Sequence, residues 1–487
     1  MSFLLGSANS AVADTYNITN SLRFGVNTDL KRLPSATGQS VKGTLSVWVK
    51  FATADTEMAI IGGFDNSGAN DNDGYFVFKR LADGNLQFEG GDNVYLETTA
   101  LYRDVSAWYH IVLAIDSGNS TANNKQRIYV NGVEITAFDT RNNLTNLQDL
   151  PMNTTAGNDD ALLIGCDEDT GGKGLFFDGY MSEFYWIDQN QYAASDFGEY
   201  NSDGIWVPKE FEGSFGVNGV FLQFKQTGTS ANTSGMGADT GGSTLHFTAT
   251  NLAATDVCVD TPTNNFCTLN PLSIQFDANG GSPSGMVHGE GNTQAMNNTS
   301  SGWGSTLGTF LIPTSGKWYW ELKNIPGDDH IQFGVMEHGY RATTGAPLDS
   351  SGAGWGWYSN DGGGRANGSA SGSFSTWKDA NDQVMIAYNA NNGKLWLGKD
   401  GTWETLSSNV GDPAGDNYPH LTVDSAPVTP CLGTANINSG TGPSLNFGNP
   451  AYALSSAVSD ANGYGDFEYA PPSGFYALCT KNLAEFG

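Results

Sequence analysis

The stretch DVCVDTPTNNFCTLNPLSIQF, residues 256–276, divides the chain into two β-rich halves. It contains two prolines, Pro262 and Pro271, an Asn pair and no helical period. Proline lacks a backbone donor and biases the residue before it toward extended conformations, which predicts an irregular connector. On each side, short apolar runs are separated by Gly, Asn, Asp and Ser. This pattern predicts an all-β protein of two antiparallel β-sandwiches in tandem, with a short β-rich connector.

The composition narrows the expected partners. Of 487 residues only 15% are charged, and 51 Asp and Glu against 22 Lys and Arg give a formal charge of −29. A surface this acidic repels phosphate backbones, so we expect no nucleic-acid partner. No apolar run approaches the roughly 18 residues of a membrane-spanning helix, and no span is expected. No Lys or Arg precedes the short apolar run near the start, so residues 1–20 are not interpreted as a secretion signal. They are interpreted as a docking segment, with a frayed chain end as the alternative.

The cysteines indicate a reducing environment. There are five, an odd number, and none forms a CxxC motif. Cys258 and Cys267 could bridge across a hairpin. A chain this long does not need a disulfide for stability, which favours reduced, buried thiols.

Strand patterns fill residues 21–201. TLSVWVKF, residues 44–51, alternates apolar and polar positions, and Asn131-Gly132 is a hairpin-turn signal after RIYV. TLSVWVKF, WYHIVLAID, QRIYVNGVEI, ALLIGC and FFDGYMSEFYWID, in this order, resemble a laminin G-type, concanavalin A-like jelly roll over residues 22–188. The resemblance implies a sandwich, in a family that includes lectin-like binders, adhesion modules and enzyme-appended domains. The tight E-x-D-x-x-E of the related glucanases is missing, which is evidence against hydrolysis in this half.

A calcium hypothesis rests on the oxygen-rich run DNSGANDNDG, residues 65–74. It fails the EF-hand pattern. Laminin G-like domains often hold calcium at a rim of such loops, so the resemblance implies one Ca²⁺ on Asp71 and Asp73. The alternative is a solvated acidic turn.

Residues 202–272 contain two strand patterns, GVFLQF and TLHFTATNL, around a low-complexity loop. Their apolar content is too small for a separate core, so they are predicted to complete or buttress the first sandwich.

The second half, residues 273–487, contains GKWYWEL, HIQFGVM, GWGWYSNDG, QVMIAYNANNGKLWLGKDGTW, LNFG and PSGFYALCTKNL. In this order they resemble a SPRY domain over residues 274–483. The resemblance implies a second concanavalin-like sandwich that acts as a recognition module, without catalytic residues, through loops at one edge. The Gly/Ser/Asn-rich stretch 361–376 departs from the family and is predicted to be a long loop.

Five side chains are the candidate ligand-binding residues of this half. Flat aromatic faces stack on sugars and on planar or cationic groups. Trp355 and Trp357 share one strand face and Tyr358 lies on the other, and the two Trp are interpreted as core residues with ligand stacking as the alternative. Trp377 follows the predicted loop and is expected at the surface. Arg365 is interpreted as a hydrogen-bonding finger or a solvated charge.

Catalytic motifs are missing from the sequence. There is no P-loop, GxSxG or HExxH, and His110 lies inside a strand pattern, so it is interpreted as a satisfied strand histidine. We therefore expect no enzyme. A glycan depolymerase would need two carboxylates about 5–9 Å apart in a cleft, for which Asp361 and Asp379 are the positions to examine.

Two tandem sandwiches with this Gly-, Asn-, Ser- and Thr-rich, acidic composition resemble a fibre or appendage protein of a tailed bacteriophage. The resemblance implies a non-enzymatic structural and adhesion protein on the virion surface, assembled in the host cytoplasm. Its expected partners are other virion proteins and host surface polysaccharide. A homo-oligomer is expected, and fibres are commonly trimers, although no coiled-coil heptads are present. The alternatives are a bacterial carbohydrate-binding or adhesion protein and a glycan depolymerase.

Overall fold

The computed structural model describes residues 16–33, 41–64, 75–91, 93–148, 150, 161–169, 172–275, 286–298, 302–340, 346–349, 353–425, 427–435 and 441–487. The chain divides between Thr263 and Asn264 into two compact units, within the stretch that the prolines mark as a connector. The described residues are almost entirely β-strand and turn, which confirms the all-β prediction.

The strands of the first unit are β1 (Ser21–Phe24), β2 (Asp29–Arg32), β3 (Lys42–Phe51), β4 (Met58–Phe64), β5 (Tyr75–Arg80), β6 (Leu86–Gly90), β7 (Asn93–Thr98), β8 (Tyr109–Asp116), β9 (Gln126–Val130), β10 (Val133–Glu134), β11 (Phe138–Arg141), β12 (Ala161–Ile164), β13 (Asp167–Asp169), β14 (Gly172–Gly174), β15 (Gly179–Asp188), β16 (Gly198–Tyr200), β17 (Trp206–Pro208), β18 (Val220–Leu222), β19 (Thr248–Thr250) and β20 (Val257–Cys258). Short 3₁₀ turns span Ala122–Asn124, Ala194–Asp196 and Ala254–Asp256.

The strands of the second unit are β21 (Leu269–Gln275), β22 (Met286–Gly289), β23 (Gln294–Asn297), β24 (Trp303–Gly308), β25 (Lys317–Asn324), β26 (Ile331–Glu337), β27 (Gly354–Tyr358), β28 (Gly363–Ala366), β29 (Ser369–Ser373), β30 (Asp382–Asn389), β31 (Lys394–Lys399), β32 (Thr402–Trp403), β33 (Thr405–Leu406), β34 (Asn409–Val410), β35 (Leu421–Thr422), β36 (Val428–Ala435), β37 (Ser444–Asn446) and β38 (Tyr476–Ala477). The α-helix α1 (Thr480–Phe486) follows the last strand.

The first unit is a sandwich of two antiparallel sheets. The β3 sheet has the order β10-β9-β8-β3-β15-β1-β20, with β18 beside β15, and the β5 sheet has the order β11-β7-β6-β5-β4-β12-β2-β19. In β3, Leu45, Val47, Val49 and Phe51 point to one shared core, as their alternation predicts. Gly132 has φ of 81° between β9 and β10, which confirms the predicted hairpin turn.

The segment after residue 201 contributes strands to both sheets of this unit. β18 pairs with β15, β19 with β2 and β20 with β1. Beside β20, the carboxylate of Asp260 accepts a hydrogen bond from Lys50 at 2.9 Å and one from the Trp108 indole at 3.1 Å. Lys50 and Asp260 are both buried, so this ion pair fixes the end of the segment to the β3 sheet.

The second unit is also a sandwich. The β26 sheet has the order β21-β24-β36-β26-β27-β28-β29. The β30 sheet has the order β22-β23-β37-β25-β30-β31-β32, with β35 beside β31 and β38 parallel to β25. Residues from both sheets fill one apolar core, as Phe333 of the β26 sheet and Ile386 of the β30 sheet illustrate.

All five cysteines are free and buried, which confirms the prediction that Cys258 and Cys267 are reduced thiols and do not form a disulfide. In the part of the chain that is described, no helix combines the length and apolar character needed to cross a membrane.

Candidate functional site

Strand β27 separates its aromatic residues between two faces. Trp355 and Trp357 lie in the core of the second unit, and both are buried, which confirms their interpretation as core residues. Tyr358 is the next residue along the strand and lies on the outer face, where it is half-buried. The outer face of the β26 sheet is therefore where the candidate ligand-binding residues can meet a ligand.

The prediction that Trp377 lies at the surface is wrong. Its side chain is 0% exposed and packs against Trp357, with the ring centroids 6.0 Å apart. Backbone bonds position it, because its N–H donates to Ser359 and its carbonyl accepts from the Asn324 amide. These bonds turn the chain inward after β29, and the large indole fills the space between the sheets.

The predicted long loop 361–376 is instead mostly a hairpin. β28 and β29 pair antiparallel across a turn at Asn367 and Gly368, whose φ values are 52° and 75°. Two consecutive positive φ values are the geometry of the tight turn that Asn-Gly favours. The hairpin extends the β26 sheet and carries Arg365 on its first strand.

Arg365 is held on the outer face by three neighbours. It pairs with Gly356 in the register, which places it on the same face as Tyr358, and its guanidinium lies 5.4 Å above the Tyr358 ring. Nη2 bonds to Asp361 at 2.8 Å, and Nε bonds to Asp349 at 3.3 Å. Arg365 is thus a positioned, ion-paired donor rather than an extended finger.

Trp303 was not identified from the sequence, yet it completes the aromatic surface. It lies on β24, and its ring meets that of Tyr358 edge to face at 5.6 Å. Two strands separate β24 from β27. On one of them, Gly433 has no side chain, and a Cβ there would approach Pro347 to 2.3 Å and Trp303 to 3.6 Å. The glycine lets both neighbours lie close to the sheet.

Acidic side chains surround these rings. Asp329 lies 2.5 Å from Nδ1 of His330, whose ring is 6.3 Å from that of Trp303. Asp349 also accepts a hydrogen bond from the buried Gln332 at 2.8 Å, which fixes its loop to the sheet. We call the set Trp303, Asp329, His330, Asp349, Tyr358, Asp361 and Arg365 the outer patch.

The charges of the outer patch shift two pKa values. Burial raises the pKa of Tyr358, and the nearby carboxylates Asp329, Asp361 and Asp349 raise it further. For Asp361, partial burial acts to raise the pKa, but the hydrogen bond from Arg365 and the Gly363 N–H outweigh it and the pKa lies below its usual value. At neutral pH the patch therefore presents a neutral phenol and an ionised Asp361.

The two predicted metal ligands, Asp71 and Asp73, lie outside the described residues. Within the described residues, one group could share an ion, since the ligand atoms of Asp328, Asp329 and His330 lie within 4.8 Å of one another. His330 already contacts Asp329 directly.

His110 is a satisfied strand histidine, as interpreted from its position. Its Nδ1 accepts a hydrogen bond from the Trp206 indole at 3.0 Å, and its Nε2 lies 2.9 Å from the Ser46 hydroxyl. Burial lowers the pKa of His110 to about 3, so the ring is neutral. Since Nδ1 is the acceptor, Nε2 carries the proton and cannot take one from Ser46.

Glu183 is a buried carboxyl group at a β-bulge. Its φ is 49°, and the register of β15 against β3 shifts between Ser182 and Tyr185. The hydroxyls of Tyr16 and Tyr185 each donate to its Oε2 at 2.8 Å. Burial raises the pKa of Glu183 to about 7, although the two hydroxyls and the charge of Lys225 act to lower it.

Replacing Glu183 by Gln is expected to flatten the pH dependence of stability. The pKa of Glu183 is raised from 4.5, its ordinary value, to about 7 in the folded state. Its contribution to folding stability is therefore fully present below pH 4.5 and is lost as the pH rises through about 7. The loss amounts to about 3 kcal/mol. Thermal unfolding of both proteins between about pH 4 and pH 8 measures it, and parallel curves would contradict the assignment.

A family of known proteins matches part of the first unit. Residues 25–191 match the Laminin_G_3 family, described as the concanavalin A-like lectin/glucanases superfamily. This confirms the laminin G-type resemblance for that unit. The second unit is a sandwich as predicted, and its membership of the SPRY family stays a prediction. No curated protein matches the chain.

Several solved structures are similar in part. The SPRY domain of human HERC1 is 16% identical, with 36% of this chain and 94% of that chain covered and a TM-score of 0.27. A Bacteroides ovatus protein, to which carbohydrate binding has been attributed by inference, is 14% identical and has a TM-score of 0.34. The match covers 49% of this chain and 60% of that protein. The sialyllactose-bound CBM40 module of a Ruminococcus gnavus sialidase is 14% identical and has a TM-score of 0.24. The match covers 34% of this chain and 90% of that module.

Proposed function

We propose that the chain is a carbohydrate-binding adhesion protein and that the outer patch binds the sugar. The observation that carries the proposal is the half-exposed Trp303–Tyr358 pair, with ion-paired polar groups fixed around it. Sugar rings have apolar faces that pack on aromatic rings, and hydroxyl edges that bond to carboxylates and guanidinium groups. Fixed polar groups favour binding because little side-chain entropy is lost.

The fold of the first unit supports the same ligand class. The description of the family that residues 25–191 match names lectins and glucanases. The acidic composition, with a formal charge of −29, favours uncharged or positively charged surface sugars over strongly anionic ones.

The test is binding of the purified protein to a panel of bacterial surface polysaccharides, with Ca²⁺ and with EDTA, after which the sugars are recovered and sized. Binding with intact sugars is the expected result. Sensitivity to EDTA would support the calcium proposal at Asp71 and Asp73. Shortened sugars would favour the depolymerase alternative, and no binding to any sugar would contradict the proposal.

Truncating Trp303 is expected to weaken binding at least tenfold, since a central aromatic anchor commonly contributes 2 kcal/mol or more. Stability should change by only about 1 kcal/mol, because the ring is half-exposed. The matched control is Trp403→Ala, a half-exposed Trp on the β30 sheet of the same unit. Equal loss of binding in both variants, measured by calorimetric titration, would argue against the outer patch.

The finer proposal is that the protein is displayed on a bacteriophage virion, as a tail fibre or capsid-surface appendage, and is not an enzyme. The low share of charged residues, the Gly- and Asn-rich composition and the sandwich architecture support this setting. Mass spectrometry and immunogold labelling of purified particles test it. Recovery of the chain from bacterial cells alone would favour the bacterial adhesion alternative.

A homo-oligomer is also proposed, and a trimer is expected. Sedimentation of the purified protein measures the oligomeric state.

A further inference from the structure

Arg80 is a buried cation at one end of the first sandwich. It is the last residue of β5 and pairs with Met58 and Leu86, which both belong to the core. Residues that pair directly across antiparallel strands share a face. The Arg80 side chain therefore enters the space between the two sheets, where it is 0% exposed.

Only one edge of its guanidinium group is bonded to the protein. Nη1 donates to the Thr53 carbonyl at 2.9 Å, whereas Nε and Nη2 are buried and have no partner among the described residues. Nε and Nη2 lie side by side on one edge of the planar group, which is an arrangement that holds both oxygens of a carboxylate. A buried donor without a partner costs about 1–3 kcal/mol, so a group that accepts from this edge would be favoured.

Further unpartnered donors lie at the same end. The hydroxyls of Tyr102 and Thr53 are buried and have no partner among the described residues. One aromatic ring lies against the arginine, since the guanidinium is 4.9 Å from the centre of the Phe51 ring. Two further rings continue from Phe51, with Tyr109 6.0 Å from Phe51 and Tyr102 5.5 Å from Tyr109. Rings attract a cation but leave its in-plane N–H groups unbonded.

Arg80 forms no ion pair with a described carboxylate, although the charges of Asp55 and Asp83 act to raise its pKa. No carboxylate in the described part of the chain bonds to it. Burial lowers the pKa of Arg80 to about 10, and it remains charged at neutral pH. A buried charge without an ion pair is costly, and burial strengthens its attraction for an anion.

We propose that this end of the first sandwich is a binding site for a carboxylate group. The two carboxylate oxygens accept from Nε and Nη2 of Arg80, and the hydroxyls of Tyr102 and Thr53 donate to the same anion. Leu101, next to Tyr102 in the sequence, is 46% exposed, so the chain reaches the surface beside Tyr102. This site is separate from the outer patch and does not depend on the proposed function.

The test uses the full chain and sodium acetate, with sodium chloride at equal ionic strength as the reference. We expect acetate, but not chloride, to raise the melting temperature in a saturable way and to give a binding isotherm by calorimetry. Tyr102→Phe should weaken acetate binding about three- to tenfold, the effect of one lost hydrogen bond. Arg80→Lys keeps the charge without the two-nitrogen edge and should abolish binding.

Arg103→Lys is the matched control, because Arg103 is exposed at the same end and Lys keeps the positive charge that acts on Arg80, so acetate binding should be unchanged. Galacturonate in place of acetate distinguishes the source of the carboxylate: binding of both supports a sugar acid, and binding of acetate alone supports a small free acid. A wild-type response to acetate no larger than that to chloride would overturn the proposal. An unchanged response in both Tyr102→Phe and Arg80→Lys would overturn it as well.

Discussion

Trp377→Ala is expected to destabilise the second unit by about 3–5 kcal/mol, the cost of removing a large side chain from a packed core. Trp377 is fully buried against Trp357, so the truncation removes apolar burial and leaves a cavity. Denaturant unfolding monitored by circular dichroism measures the loss. Since the chain has two compact units, the transitions should be fitted separately.

The control for Trp377 is Trp303→Ala in the same unit. Removing the half-exposed Trp303 should leave the unfolding transition nearly unchanged while it weakens sugar binding. Removing Trp377 should lower the free energy of unfolding and leave sugar binding unchanged under conditions in which the variant is folded. A Trp377 variant with normal stability and impaired sugar binding would contradict the burial described above.

Asp260→Ala is expected to destabilise the first unit by about 3–5 kcal/mol, because it removes the carboxylate that is ion-paired with the buried ammonium of Lys50. Lys50 is 2% exposed and its Nζ lies 2.9 Å from the carboxylate. The Trp108 indole loses its acceptor in the same variant. Thermal and denaturant unfolding of the first unit measure the effect.

Two variants show whether the buried charge is the cause. Glu134→Ala removes an exposed partner of Arg127, 3.7 Å away, and should change stability by less than about 1 kcal/mol. Replacing Lys50 by Met and Asp260 by Leu together should recover most of the stability, since the pair then buries no charge at either position. A cost for Asp260→Ala no larger than that for Glu134→Ala would show that the pair contributes little.

Strand patterning predicted the architecture because alternation is a local property. TLSVWVKF places its apolar residues in the core, and GWGWY separates Trp355 and Trp357 from Tyr358 as the period of two requires. The chain divides after Thr263, within the stretch that Pro262 and Pro271 mark.

The outer patch could be predicted only in part. Tyr358 and Arg365 were among the five candidate residues, but Trp303 meets them across two intervening strands, and no sequence spacing encodes that neighbour. The error at Trp377 followed from taking residues 361–376 as a loop. The Asn367-Gly368 pair signals the hairpin, but the surrounding Gly and Ser residues lack the apolar alternation that indicates a strand.

The most direct test of the proposed function is a crystal structure of the protein with the oligosaccharide that binds most tightly in the polysaccharide panel. The expected result is a sugar ring packed on Trp303, with carbon atoms about 4 Å from the indole, and its hydroxyl groups bonded to Asp349 or Arg365. A sugar bound elsewhere on the protein, with the outer patch unoccupied, would contradict the account.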